Sequence, residues 1–237
     1  MINADNINKY YGKFHVLKSI NLKIDKGQIV ALMGPNGSGK TTLLKCILGL
    51  VIADSGEIKV DGVSIKNNFE YRHKIGYMPQ TAYFPENIKV KDVIQIIKEI
   101  RGEKSATDFD LYEYYGIENF TDKKISSLSQ GMKQKVSSAL TFMFDSDILI
   151  LDEPTAGLDP LSAEYMKLKI KKEKDKGKLI IITTHILNEV EELSDRMIYL
   201  LDGEVRADRI NDNSGTKNGA ESILDKFTDL FKSYEWK

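Results

Sequence analysis

Apolar residues along this chain fall into short runs of two kinds, and each kind predicts an element. β-rich runs bounded by turns occupy VLKSINLKI at 16–24, QIVALM at 28–33 and EIKVDG at 57–62. Gly27 and Gly34 punctuate the middle run, and residues 40–50 (KTTLLKCILGL) predict a helix whose apolar side packs beneath that strand. A further strand is predicted over Ile75 to Met78, just before Pro79 and Gln80. Val93, Ile96, Ile97 and Ile100 then recur at helical spacing, and another apolar helix fits Val136 to Met143. Residues 81–145 therefore read as a mainly helical insertion between two parts of one core. The core resumes with DILILDEP at 147–154, a charged helix over about 161–176, and LIIITT at 179–184, which is apolar throughout and suits a central strand. Strand, crossover helix and strand in this order predict an α/β fold with a mostly parallel sheet, helices on its faces and a segregated helical lobe.

Asp208 to Gly219 is rich in Asn, Asp, Ser and Gly and reads as a surface linker. Beyond it Ile223, Leu224, Phe227, Leu230 and Phe231 repeat on one helical face. That segment is either a terminal helix packed on its own domain or a helix facing a partner or a membrane.

Composition narrows the function. A chain of 237 residues has room for one catalytic module with a small appended lobe. Its 34 basic and 35 acidic side chains nearly cancel, so no global electrostatic footprint of a nucleic-acid binder is present, and direct nucleic-acid binding is not expected. Residues 1–13 are polar and mixed, unlike a secretory leader, and no apolar run approaches the roughly 20 residues of a membrane-spanning helix. The expectation is a cytoplasmic protein, for which any membrane work needs another polypeptide. The lone Cys46 rules out an internal disulfide framework and is expected to be a small buried packing residue.

The chemistry concentrates in Gly34, Pro35, Asn36, Gly37, Ser38, Gly39, Lys40 and Thr41, which complete the glycine-rich phosphate-loop pattern between an apolar strand and an apolar helix. Glycines let successive backbone N–H groups face phosphate oxygens, Lys40 adds a cation for the terminal phosphates, and the Thr41 hydroxyl suits magnesium. Asp152 and Glu153 follow four apolar residues, so Asp152 is expected at the carboxyl end of a buried strand, close to the metal. Glu153, projecting differently, is a candidate to orient or deprotonate attacking water. An acidic pair alone is as readily an ordinary strand end; beside a phosphate loop it becomes a candidate catalytic edge.

With those residues in view, the chain resembles the nucleotide-binding subunit of ATP-binding-cassette (ABC) transporters over about residues 3–206. The resemblance implies the P-loop nucleoside-triphosphatase fold of ABC type, with a β-rich N-terminal subdomain and the helical insertion of about 81–145. It divides the chain into a nucleotide-binding domain at 1–206, a linker at 207–219 and a C-terminal amphipathic helix at 220–237. It implies ATP and Mg2+ as ligands. Tyr11 matches the residue that stacks on adenine and Val16 a nearby apolar contact. Residues 34–42, including Thr42, match the phosphate loop, and Gln80 the glutamine that senses magnesium and the attacking water. Leu128, Ser129, Gln130, Gly131 and Met132 occupy the signature segment, in which Ser129 and Gly131 are implied to contact the γ-phosphate held by a second subunit. Asp152 matches the magnesium-associated carboxylate, Glu153 the catalytic base, Asp159 the loop communicating across the dimer, and His185 the histidine at the γ-phosphate. His15 and His73 have no such match.

The implied assembly is a head-to-tail homodimer bound to an integral membrane permease at the cytoplasmic face of the inner membrane. Gln130 and Met132 depart from the commonest signature, which has Gly and Gln there; a left-handed backbone at position 130 would cost Gln roughly 1 to 2 kcal/mol. YRHKIGYMPQTAYFPENIKV at 71–90, with the stretches 127–160 and 179–205, is similar to a narrower group, the ATPase of the nitrous-oxide-reductase maturation transporter. That likeness implies periplasmic or lipoprotein partners handling copper or sulfur species, since this chain has no transparent Cys/His copper site. The alternatives are the ATPase of a lipid, antibiotic or small-molecule exporter, a nonmembrane ATPase, and a nonhydrolysing regulatory module.

Overall fold

The computed structural model describes residues 1–102 and 107–210. The helix expected at 220–237, and the linker beyond residue 210, lie outside the described residues.

A four-stranded antiparallel sheet, in the order β2-β1-β4-β5, is built from β1 (Ile2–Tyr11), β2 (Phe14–Ile24), β4 (Ser55–Val60) and β5 (Val63–Ser64). A second sheet of six strands runs β10-β9-β3-β8-β7-β6, from β3 (Ile29–Met33), β6 (Ile75–Met78), β7 (Ile148–Asp152), β8 (Leu179–Thr183), β9 (Arg196–Leu201) and β10 (Glu204–Ile210). All neighbours in it are parallel except β9 and β10.

The unbroken apolar runs are explained by burial of the large sheet on both faces. Ile29, Ala31 and Met33 of β3, with Leu149, Leu151, Ile180 and Ile182, turn to one core. That core is completed by α2 (Val90–Arg101), α4 (Gln130–Phe142), α5 (Pro160–Asp175) and α6 (Leu187–Leu193). Val30, Leu32, Ile148, Ile150 and Ile181 turn the other way, onto α1 (Lys40–Ile47) and the antiparallel sheet. Cys46 is buried in this second core as a free thiol, and burial pushes it up to about 11, so it packs as a small apolar residue.

Between β6 and β7 the chain forms α2, α3 (Asp110–Tyr114) and α4 with short 3-10 turns. One boundary of the sequence reading is corrected. Residues 207–210, assigned to the linker, continue β10, where Ala207 pairs with Tyr199 and Ile210 with Arg196. The polar Asp208 belongs there because Arg196 donates to both of its carboxylate oxygens, at 2.7 and 2.6 Å. β1 was also missed: only Ile2, Ala4 and Ile7 face the core, and the irregular register around Asn6 breaks the alternation that marks a strand.

The charged helix α5 is not simply solvated. Lys169, only 3% exposed, reaches Asp108 at 2.6 Å, Asp110 at 3.3 Å and Glu173 at 3.4 Å. Tyr165 of the same helix donates to Asp110, so α5 is fastened to the helical insertion by a partly buried ionic cluster. Burial alone would raise the Glu173 carboxyl, but hydrogen bonds from Lys176 and Lys178 outweigh it and hold the group below its ordinary value. Asp110 is likewise held low, the bond from Tyr165 and the charge of Lys169 overcoming its burial. Removing the central, buried cation leaves Asp108, Asp110 and Glu173 to the more exposed Lys172 and Lys176, with Lys178 on Glu173, so Lys169→Ala is expected to lose about 3 kcal/mol or less in urea unfolding at neutral pH. Depressed carboxylates stabilise the fold above their unfolded values and lose that contribution as pH falls through the folded ones. The gap between wild type and Lys169→Ala is therefore expected to narrow on acidification below the ordinary carboxylate range.

Candidate active site

The register of the large sheet decides which residues meet. Leu32 of β3 pairs with Thr183 of β8, Thr183 with Asp152 of β7, and Leu151 with Met78 of β6. Because these strands are parallel, the segments leaving all four open on one edge: the loop at 34–39, Gln80, Glu153 and His185. A crevice outside the carboxyl ends of parallel strands is the usual ligand site of such sheets.

The loop at 34–39 turns sharply out of β3. Gly34 has φ +145°, and a Cβ there would overlap the Leu200 carbonyl, so no other residue fits. Ser38 is 2% exposed, its backbone carbonyl accepts from the Gly203 N–H at 3.2 Å, and its hydroxyl has no partner. Lys40 folds back over the loop, donating to the carbonyls of Gly34 at 2.7 Å and Pro35 at 3.1 Å. Burial lowers the Lys40 ammonium, while Asp152 and Glu153 pull it the other way. An orphaned buried hydroxyl, a cation bonded only to loop carbonyls and the open end of α1 form a set that an anion would complete. Pro35, Asn36, Gly37 and Thr41 are exposed at its mouth, with Thr42 half-buried behind.

Opposite stands the carboxylate pair. Burial raises the Asp152 carboxyl above its ordinary range, against a hydrogen bond from the Thr183 hydroxyl and the attraction of Lys40. Glu153 has φ +52°, a left-handed conformation uncommon for a residue with a side chain. Its N–H is held by both the Thr183 carbonyl (3.1 Å) and the Thr183 hydroxyl (3.0 Å). That abrupt change of direction at the strand end turns Glu153 away from the line of β7, and its carboxylate lies 3.4 Å from Nδ1 of His185. His185 is 73% exposed and Glu153 half-buried, so the pair borders solvent where a water could be reached from both. Thr183 was not singled out by sequence; a hydroxyl closing the apolar run LIII was the available signal.

Gln80 is exposed just past β6. Tyr11 ends β1 at the tip of the β1–β2 hairpin, paired with Phe14 and half-exposed, with the Lys9 ammonium 5.5 Å from its ring. The Val16 carbonyl backs onto the phosphate loop, 2.9 Å from where a Cβ on Gly39 would stand. His15 stacks on Tyr10 at 4.0 Å and bonds Asn8, and His73 lies exposed beside Glu70.

The ABC transporter family model matches residues 17–156. This chain belongs to that family. The lantibiotic transport ATP-binding protein SrtF of Streptococcus pyogenes is 34% identical over 90% of this chain and 93% of its own length. The linearmycin resistance ATP-binding protein LnrL of Bacillus subtilis is 34% identical over 94% of this chain and 74% of its own. An ATP-binding subunit of an ABC transporter superposes with a TM-score of 0.86 at 28% identity, covering 98% of this chain and 99% of that one. A dimeric ATP-binding cassette in a post-hydrolysis state, bound to ADP and Pi, superposes with a TM-score of 0.77 at 27% identity over 89% and 99% of the two chains. The protein is thus an ABC ATPase coupled to transport, and its fold is the ATP-binding cassette.

Residues 128–132, matched to the family's signature segment, lead into and open α4. Ser129 caps its own helix, accepting from the Met132 N–H at 3.3 Å. No hydrogen bond among the described residues joins Ser129 or Gly131 to the loop at 34–41. Gly131 instead backs against the loop after β7: a Cβ there would lie 2.8 Å from the Gly157 carbonyl. Asp159 caps α5 through Ser162 at 2.9 Å and pairs with Lys135 of α4 at 2.7 Å, and these bonds hold its carboxyl far below the ordinary range. The left-handed backbone considered for position 130 is absent, since Gln130 opens α4 with negative φ. Gln130→Gly is therefore expected to relieve no strain and to lower stability by up to about 1 kcal/mol. Gly131→Ala is expected to cost about 1 to 3 kcal/mol through overpacking on Gly157. Urea unfolding of the two variants measures both.

Proposed function

We propose that two copies of this cassette hold ATP between the phosphate loop of one and the signature segment of the other, and hydrolyse it to drive an integral membrane permease. The supporting observation is the shared sheet edge, where Lys40 and its loop face Asp152 and where Glu153 and His185 come within 3.4 Å. In this reading the loop N–H groups, Ser38 and Lys40 bind the triphosphate, and Tyr11 and Val16 receive the adenine. Thr41, Gln80 and Asp152 would hold Mg2+, which would supply positive charge to the phosphates. Glu153 takes the proton of the attacking water while His185, 3.4 Å from it, fixes its direction.

In this reading Ser129 and Gly131, which make no described hydrogen bond to their own chain's loop at 34–41, serve the nucleotide held by the second copy. A dimer with ADP and Pi is the state named for one structural relative. No described helix is long and apolar enough to cross a membrane; in this reading the permease is a separate polypeptide and the cassette sits against its cytoplasmic face. The cleft of about 200 Å³ between β6 and the helical insertion, lined by Pro79, Tyr83, Phe84, Ile97 and Arg101, adjoins the segment 80–91 that would carry motion between the two parts.

For the cargo, most names of the relatives favour an antibiotic or another small molecule: lantibiotic transport, linearmycin resistance, bacitracin transport and Nod factor export, beside one for glutamine transport. Assembly of the copper centre of nitrous-oxide reductase is the narrower reading. It rests on the wording of residues 71–90, 127–160 and 179–205, and copper or sulfur species would then be handled by partner proteins. Purification of the native membrane complex separates the two: a copper or sulfur maturation partner beside the permease supports the narrower reading, and its replacement by an unrelated export permease removes it. After reconstitution of the chain with that permease, Glu153→Gln is expected to lower magnesium-dependent ATP turnover on the order of 100-fold or more. Equal turnover in both proteins would exclude Glu153 as the base.

A further inference from the structure

One buried carboxylate near the proposed site has no role in the scheme above. Glu189, on the first turn of α6, is 8% exposed, and no cation among the described residues lies within ion-pair distance of it. Both of its oxygens are engaged by hydroxyls: Thr155 donates to Oε1 at 2.6 Å and Thr184 donates to Oε2 at 2.7 Å. An ionised carboxylate only accepts, so it satisfies two hydroxyl donors at once in a way an amide does not.

These threonines flank the two residues at the water side of the site. Thr155 stands two positions after Glu153, in a turn closed by the Ala156 N–H on the Glu153 carbonyl at 3.1 Å. Thr184 immediately precedes His185, and its hydroxyl also accepts the Ile186 N–H at 3.1 Å, closing the turn that presents the imidazole. On the strand side, Thr183 binds both the Asp152 carboxylate and the Glu153 N–H. Glu153 and His185 are therefore bracketed by two hydroxyl-to-carboxylate ties. One joins the ends of β7 and β8 through Thr183, and the other joins the following turns through Glu189.

We infer that Glu189 is a positioning residue for ATP hydrolysis, clamping the Thr155 and Thr184 turns so that Glu153 and His185 share one water. This inference rests on the reading of Glu153 and His185 as the residues that act on water. No described hydrogen bond joins Thr155, Thr184 or Glu189 to the loop at 34–41, so the clamp acts on turnover and leaves nucleotide affinity alone. A role confined to general stability would lower the thermal midpoint and disturb binding and turnover together.

The test is steady-state ATPase kinetics of the permease-bound complex carrying Glu189→Ala, Glu189→Gln, Thr155→Val, Thr184→Val and the double variants. Glu189→Ala is expected to lower kcat about tenfold or more, as expected when catalytic groups are misplaced by a fraction of an ångström, with the KM for ATP within about twofold. Glu189→Gln, which keeps one acceptor, is expected to recover part of the loss, and adding either Val substitution to Glu189→Ala should lower kcat no further. Wild-type kcat in both Glu189→Ala and the near-isosteric Thr155→Val, or losses that multiply independently, would overturn the clamp. Glu153→Gln is assayed alongside: full turnover there removes the underlying reading, whereas loss there with wild-type rates in the Glu189 and threonine variants overturns the positioning role alone.

Discussion

The parallel hydrogen-bonded ladder that joins β3, β8, β7 and β6 is the constraint on which the site depends. Its register sets Leu32, Thr183, Asp152 and Met78 near one level, so four segments far apart in the chain emerge at one edge. The ladder holds its register because β3, β7 and β8 are buried on both faces. A slip of one residue would turn every side chain of these strands to the opposite core. The edge itself departs from regular geometry: Gly34 takes a backbone open only to glycine, and Glu153 takes one that side chains seldom adopt. The hydrogen bonds of Thr183 and the packing of Leu200 hold those two departures in place, at the positions where the proposed chemistry occurs.

Much of this was legible beforehand because the informative residues stand next to one another. The phosphate loop is a contiguous pattern between a strand and a helix, and DILILDEP carries its acidic pair at the end of an apolar run. The runs at 75–78, 147–152 and 179–184 match β6, β7 and β8 closely, since continuous apolar residues suit strands covered on both sides. β1 and the last residues of β10 were hidden for the opposite reason. Their outer faces are exposed and polar, and bulges interrupt the alternation. The ties made by Thr183 join residues about thirty positions apart and exist only once the register is known.

The signature segment shows how a motif can carry two demands. Gly131 is required within this chain by the approach of the Gly157 carbonyl, whatever it meets on a second copy. Lys135 of the same helix pairs with Asp159, the cap of α5, so the signature helix and the loop after β7 are joined at two points. α5 continues from that loop to the ionic cluster around Lys169, which reaches the helical insertion at Asp108 and Asp110. The helical insertion is thereby connected through side chains to the loop that leaves β7.

A crystal structure of Glu153→Gln with ATP and magnesium addresses the shared edge most directly. The account expects the phosphates on the N–H groups of residues 37–41 with Lys40 swung onto them, Thr41 and Asp152 at the magnesium, and residue 153 and His185 facing the γ-phosphate. Phosphates bound away from this loop, or residue 153 turned from the γ-phosphate with His185 on another partner, would contradict it.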